Sequence, residues 1–343
     1  MLNRFLLFAM ALSLGGLLAR MHIPIPFMLG GIITAMSCRL FARGMGVSWP
    51  KQWREYALMV AGYGIGSSFS SDAWNNFLAE LLGVAEATVV IIGFSMVLAF
   101  ITSRLTREDL KSCIMGMLPG GLTISMLMAE EDKNVNPNVI VVMQVIRLLG
   151  VIVTVPFLVI YLLDAKVLAS SIAMPNNGGV HWLVFVPLAV LGAFLANKLH
   201  IPTPRLLGPI LLTAVFSVYM EGVQPVPAPL MAAAQASIGL YMGMQLDAGR
   251  IIATKKMVPF ILVGTGLMIG ISILMAEHLS ARYGFSLNTA FLAMAPGGIA
   301  EMALAGMSMG EDVAVILTYQ LVRVLAINLF IPPLMVWMFS RNA

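Results

Sequence analysis

Arg147 and Arg323 stand deep in apolar stretches, and each follows a glutamine by three residues, Gln144 and Gln320. Three residues is nearly one helical turn, so each pair shares a helix face. Counted from Pro137 and from Val313, each arginine is ten residues into its run. That is about 15 Å along a helix, half of a hydrocarbon core about 30 Å thick. A charge at such depth costs roughly 2.5–3.5 kcal/mol on insertion scales, so it must face protein or water and find a partner. The planar guanidinium fork suits a carboxylate or a row of backbone carbonyls.

A source of both lies upstream. Leu118-Pro119-Gly120-Gly121-Leu122-Thr123-Ile124 precedes the first pair, and Ala295-Pro296-Gly297-Gly298-Ile299-Ala300-Glu301 precedes the second. Proline removes a backbone donor and clashes with the preceding turn, and each glycine favours coil, so Pro-Gly-Gly breaks a helix. Non-helical backbone at membrane depth is tolerated only where it is buried in protein or lines a wet cavity, and paired interruptions in two halves of a chain point to a transport site. The candidate substrate-binding residues are therefore Pro119, Gly120, Gly121, Thr123, Ser125, Gln144 and Arg147, with Pro296, Gly297, Gly298, Gln320 and Arg323. Each arginine can cap carbonyls freed by its break or receive an anion directly, and the two roles are compatible. Glu301 stands where the first copy has Ile124. It is a candidate for proton coupling, because burial raises a carboxyl pKa and a nearby arginine lowers it; a fixed ion pair with Arg323 or Arg147 is the alternative.

The elements that must position these residues are written in the composition. Of 343 residues, 59% are hydrophobic and 10% charged, with a mean hydropathy of +0.93, far from the quarter charged residues of a soluble domain. Apolar runs fall near 5–20, 26–42, 54–70, 78–102, 110–129 and 137–163, then near 182–197, 205–221, 230–246, 258–279, 288–309 and 313–339. The first imitates a signal peptide, but its end, Ala19-Arg20-Met21-His22-Ile23-Pro24-Ile25-Pro26, reappears as Asn197-Lys198-Leu199-His200-Ile201-Pro202-Thr203-Pro204. It is thus the counterpart of an internal helix and is expected to be retained. His22 matches His200, Pro119 matches Pro296 and Arg147 matches Arg323 at offsets of 178, 177 and 176. One unit is duplicated: 1–164 is the first repeat, 165–181 a linker and 182–343 the second repeat. Arg39, Arg43, Lys51 and Arg54 crowd a loop whose counterpart near 222–229 has no basic residue, while Arg250, Lys255 and Lys256 crowd the counterpart of a loop near 71–77 that has none. Equivalent loops then face opposite sides. If one run per half, the Pro-Gly-Gly one, does not fully cross, fifteen of the twenty lysines and arginines fall inside and three outside, with Arg147 and Arg323 left over. The positive-inside rule favours inverted repeats on that count. Whether the Pro-Gly-Gly runs re-enter or cross as broken helices stays open.

The duplication, the His-x-Pro-x-Pro turns, the paired Pro-Gly-Gly segments and the Gln-x-x-Arg after each resemble the AbrB family of bacterial integral membrane proteins over essentially the whole chain. Members of that family carry labels of gene-expression regulators or of ammonia monooxygenases. The resemblance implies a Pro-Gly-Glu-rich second motif, present here as Pro296, Gly297, Gly298 and Glu301; the first copy lacks the acid. A copper or iron oxygenase needs clustered imidazole and carboxylate ligands. The four histidines, His22, His181, His200 and His278, are scattered, so no enzyme, no metal site and no other cofactor is expected. Leu29-Gly30 and Leu207-Gly208 look similar to the opening helices of cation/proton antiporters and related anion transporters, a likeness of fold only.

The expectation is an all-α polytopic protein of the bacterial inner membrane, built from two inverted repeats with broken or re-entrant Pro-Gly-Gly segments. Its function would be secondary transport of a small organic anion coupled to protons or sodium; the alternative is a membrane-embedded regulator or sensor without transport. Its partners would be the lipid bilayer and a small anion, with no nucleic acid, and a homodimer is compatible with this. Cys38 and Cys113 have no metal-like spacing, and no disulfide is expected.

Overall fold

A computed structural model describes residues 2–41, 48–69, 71–120, 125, 128–129, 135–161, 163, 185–219, 224–245 and 248–340. The expected linker at 165–181, Gly121 and Thr123 lie outside the described residues. Among the described residues there are fourteen helices and no strand. Five stretches, Asn3–Arg20, Glu80–Thr106, Pro137–Tyr161, Val258–Tyr283 and Val313–Phe339, are long and apolar enough to cross a membrane, consistent with a multi-pass membrane protein. Cys38 and Cys113 are free thiols.

The chain forms two compact units, and each takes segments from both halves of the sequence. The first comprises Met1–Leu78, Pro156–Gln245 and Ala303–Ala314. It contains α1 (Leu2–Arg20), α2 (Pro26–Phe41) and α3 (Lys51–Gly66). In chain order, α4 (Ser71–Thr106), α5 (Leu110–Met117) and α6 (Pro137–Tyr161) follow. The first unit resumes with α7 (Phe185–Lys198), α8 (Pro204–Tyr219) and α9 (Ala228–Met244).

The duplication seen in the sequence is repeated here bond for bond. The α1–α2 turn closes with His22 N donating to Ala19 O and Ile23 N to Leu18 O, at 3.1 and 3.2 Å. At the α7–α8 turn His200 N donates to Asn197 O and Ile201 N to Ala196 O, at 3.2 and 2.9 Å. This pair of bonds is the Schellman stop, in which the residue past the helix end takes the left-handed conformation. Histidine holds that place in both copies, with φ of 57° at His22 and 55° at His200. The following prolines then reset the chain for the next helix, at its first helical position.

Small residues let these helices meet backbone to backbone, as is common in apolar bundles. A Cβ on Gly30 would fall 2.6 Å from Gly15 N, and one on Gly208 would strike the Gly192 carbonyl, so α1 packs on α2 as α7 packs on α8. Between the halves, Gly31 of α2 lies on Ala236 and Leu240 of α9, while Gly62 and Gly66 of α3 lie on the Leu206 and Ile210 carbonyls of α8. In repeat register α2 corresponds to α8 and α3 to α9. The two inter-half contacts are therefore one contact made twice with the partners exchanged.

The second unit comprises Ala79–Val155, Leu246–Met302 and Val315–Ala343. It holds most of α4, with α5 and α6, then α10 (Ala248–Ala253), α11 (Val258–Tyr283) and α12 (Leu287–Met294). The beginning of α13 (Ile299–Met309) and most of α14 (Val313–Ser340) complete it. Asp109 caps α5 by accepting from Ser112 N, and Ser286 caps α12 by accepting from Thr289 N, both at 3.0 Å. The capping oxygen satisfies one of the orphan donors of the first turn. Both helices run eight residues and stop at an extended residue, Leu118 or Ala295, with ψ of 129° and 136°. Eight residues span about 12 Å, too little to cross a hydrocarbon core.

Candidate functional site

Both Pro-Gly-Gly breaks lie in the second unit, and at each of them the helix stops at the residue before the proline, Leu118 or Ala295. The helices that collect the carbonyls of these ends, α6 and α14, begin at Pro137 and Val313, so Arg147 and Arg323 each stand ten residues into their helix. Arg147 Nη1 donates to Met117 O and Leu118 O at 2.8 Å each, and to Gly116 O at 3.3 Å. Arg323 Nη1 donates to Met294 O and Ala295 O at 3.1 Å each, and Nη2 to Gly297 O at 3.4 Å. Gln144 Nε2 donates to Met115 O at 2.8 Å, and Gln320 Nε2 to Leu292 O at 2.9 Å and Ala295 O at 3.0 Å. Each Gln-x-x-Arg pair is thus a clamp on the carboxyl end of its half-helix. Such charge-assisted bonds satisfy acceptors that would be expensive to leave unmade at this burial. The capping role set out from the sequence is occupied in both halves.

The clamps are equivalent without being identical. Arg323 Nη2 also donates to Gln320 Oε1, tying the second pair together. No such bond joins Gln144 and Arg147; Gln144 Nε2 donates instead to Ser125 Oγ at 3.3 Å, and Ser125 Oγ donates to Met115 O at 3.4 Å. Both arginines are buried, at 5% and 2% exposure, and the Nε of each has no partner among the described residues. Each guanidinium thus keeps a buried N–H donor, its Nε.

The two breaks converge. A Cβ on Gly120 would lie 3.2 Å from Ile327 Cδ1 and 3.6 Å from Val324 Cγ2, so the first break packs on α14 immediately beside Arg323. Arg147 is near enough to Arg323 for their charges to repel. Pro119 and Pro296 are buried, whereas Gly120, Gly297 and Gly298 are only partly so. Glu301, in the first turn of α13, is 4% exposed, and its carboxylate folds back over Gly298 into the space a Cβ there would take. Of the candidate residues, then, Pro119, Gly120, Ser125, Gln144, Arg147, Pro296, Gly297, Gly298, Glu301, Gln320 and Arg323 all lie in this unit at the two breaks.

Sequence reasoning passed over Ser272. Its Oγ donates to Met294 O at 3.2 Å, giving the second break another donor from α11. The signal was available, because Ser272 and the buried Ser95 of α4 are counterparts in the repeat register. Glu80 was also missed. It is 5% exposed near the start of α4, and nothing in its spacing separates it from an interfacial glutamate. Glu86 of α4 is 37% exposed, pairing with Arg282 at 3.0 Å and His278 at 3.1 Å.

The family whose model is described as "Transition state regulatory protein AbrB" matches residues 27–339. Over 93% of this chain and 88% of its own length, the "Uncharacterized protein YhjN" of Bacillus subtilis (strain 168) is 25% identical. The "Putative regulator AbrB" of Escherichia coli (strain K12) is 23% identical over 94% of this chain and 91% of its own. Both likenesses extend over nearly the whole chain. The chain belongs to the AbrB family, and its described residues are helical, with five helices among them long and apolar enough to cross a membrane.

Proposed function

We propose that the protein is a secondary transporter of the bacterial inner membrane that carries a small organic anion, coupled to protons or sodium. The observation that carries this is the meeting, in one unit, of two interrupted helices under two buried arginines that each keep an Nε donor in hand. A purely structural clamp would be complete with its carbonyls satisfied. Buried donors without acceptors are rare and ask for an explanation, and an anion seated between the breaks would supply it while balancing two like charges. In this proposal residues 1–164 and 182–343 are repeats of opposite orientation, and alternating access moves one set of helices against another around the site.

Counterflow of labelled carboxylates into proteoliposomes tests the proposal. Uptake that is lost in Arg323→Gln or Arg147→Gln protein of wild-type elution volume is the expected result. No uptake across a broad panel, together with a stable protein partner in pull-downs, would favour a membrane-embedded regulator, the role printed in the name of the E. coli relative. Reporter fusions after Arg43 and after Glu221 test the inverted arrangement separately, and the same side for both would end it.

A further inference from the structure

The amino end of α13 already holds an anion, and the anion is the protein's own. Gly298 is the N-cap of that eleven-residue helix, since its carbonyl accepts the first helical bond, from Met302 N at 3.1 Å. The N-terminal amides of a helix lack partners and carry partial positive charge. A serine or aspartate at the cap would satisfy them itself. Glycine cannot, and the Glu301 carboxylate from the third helical position fills the vacant cap space instead. A second, independent feature marks the same spot. Arg323 is 2% exposed, reaches Gly297 O beside the cap with Nη2, and has a buried Nε without an acceptor. Arg147 from α6 is in turn near enough to Arg323 for their charges to repel. In the first copy isoleucine stands at the counterpart of Glu301.

We infer that the seat over Gly298 is where a carboxylate ligand binds, and that Glu301 is its resident surrogate, displaced when the ligand enters. This rests on the transport proposal and makes it more specific. A carboxylate that replaces another on the same donors leaves the charge at the seat unchanged. The displaced side chain leaves those donors for apolar surroundings, where its neutral form is favoured. It takes one proton from water on the open side, carboxylate plus proton giving carboxylic acid. One anion and one proton are then loaded together, and both leave when Glu301 returns to the seat and releases its proton.

The experiment uses the full chain in nanodiscs, with formate as the probe. Dicyclohexylcarbodiimide modifies protonated carboxyls in apolar surroundings, and peptide mass spectrometry reads the label at Glu301. Saturating formate should raise that label several-fold over chloride at equal ionic strength. In Glu301→Ala protein the seat is empty, so formate should raise the melting temperature saturably, more than in wild type; adding Gly298→Ala should abolish the effect by filling the seat. Labelling that formate leaves unchanged overturns the inference in the wild-type protein, whether or not the variants fold. Carboxylate counterflow without this displacement would leave the transport proposal standing and sink the surrogate alone. Displacement without counterflow of any carboxylate would keep the seat as a ligand site and sink transport.

Discussion

Arg147→Met separates what the first clamp gives the fold from what a buried charge takes away. The substitution removes two bonds of 2.8 Å, to Met117 O and Leu118 O. Leu118 O keeps Gly120 N at 2.9 Å, while Met117 O has no other donor among the described residues. Hydrogen bonds to a charged group are worth about 1.5–3 kcal/mol each, and an orphaned buried carbonyl costs about 1–3 kcal/mol more. Against this, methionine fills a similar volume and relieves the desolvation of a buried cation, an effect of several kcal/mol in the variant's favour. The balance is a net loss of about 2–3 kcal/mol. At roughly 2–4 °C per kcal/mol for units of this size, the melting temperature should fall by about 4–12 °C. Thermal melts in detergent, followed by size-exclusion chromatography of the soluble fraction, measure it. A variant as stable as wild type, or more so, would refute the clamp, because the arginine would then be retained at a loss to the fold and only a ligand would account for it.

Other consequences are quicker to check. In a double-mutant cycle with Gln320→Leu and Arg323→Met, melts should reveal a coupling of about 1–3 kcal/mol, since the two side chains share a bond and both hold Ala295 O; the Gln144 and Arg147 cycle should be nearly additive. Glu86→Gln should change stability by less than about 1 kcal/mol, because Glu86, His278 and Arg282 are 37%, 48% and 49% exposed; a loss as large as that of Arg147→Met would contradict it. Gly30→Val should abolish a monodisperse elution peak, its Cβ falling 2.6 Å from Gly15 N, whereas Gly93→Ala, with nothing within 4 Å, should leave the peak unchanged.

Proline shows what sequence rules could and could not say. Pro119 and Pro296 were expected to break helices and do, yet Pro156, Pro209, Pro332 and Pro333 stay inside theirs. The difference is the company they keep. Two glycines follow each breaking proline, and an arginine ten residues into a later helix waits to accept the released carbonyls as partners. Spacing could therefore locate the breaks and the arginines, and the repeat register could pair them. It could not say that Gln320 and Arg323 would bond each other while Gln144 and Arg147 would not, because that depends on rotamers set by packing. The register offered the His22 and His200 turns as equivalents, but their left-handed backbone, at a residue type that seldom adopts it, is a property of the helix stop. The choice between re-entry and a broken crossing turns on α12 and α13 together. Their eight and eleven residues amount to about 12 and 16 Å, enough to cross only if nearly collinear.

The two sides of the second break differ in how firmly they are held, and this decides where a ligand can act. On the carboxyl side Met294 O accepts from Arg323 and Ser272, and Ala295 O accepts from Arg323 and Gln320. Loosening that end means undoing several charge-assisted bonds, at about 1.5–3 kcal/mol each. On the amino side, Gly298 brings no cap of its own and a single glutamate fills the space. Losing an N-cap costs about 1 kcal/mol. A small anion can supply that much by replacing the glutamate, but not what the other end would require. On the proposed binding of a carboxylate over Gly298, rearrangement is expected to start at the first turn of α13, with Glu301, while the arginine clamps stay closed.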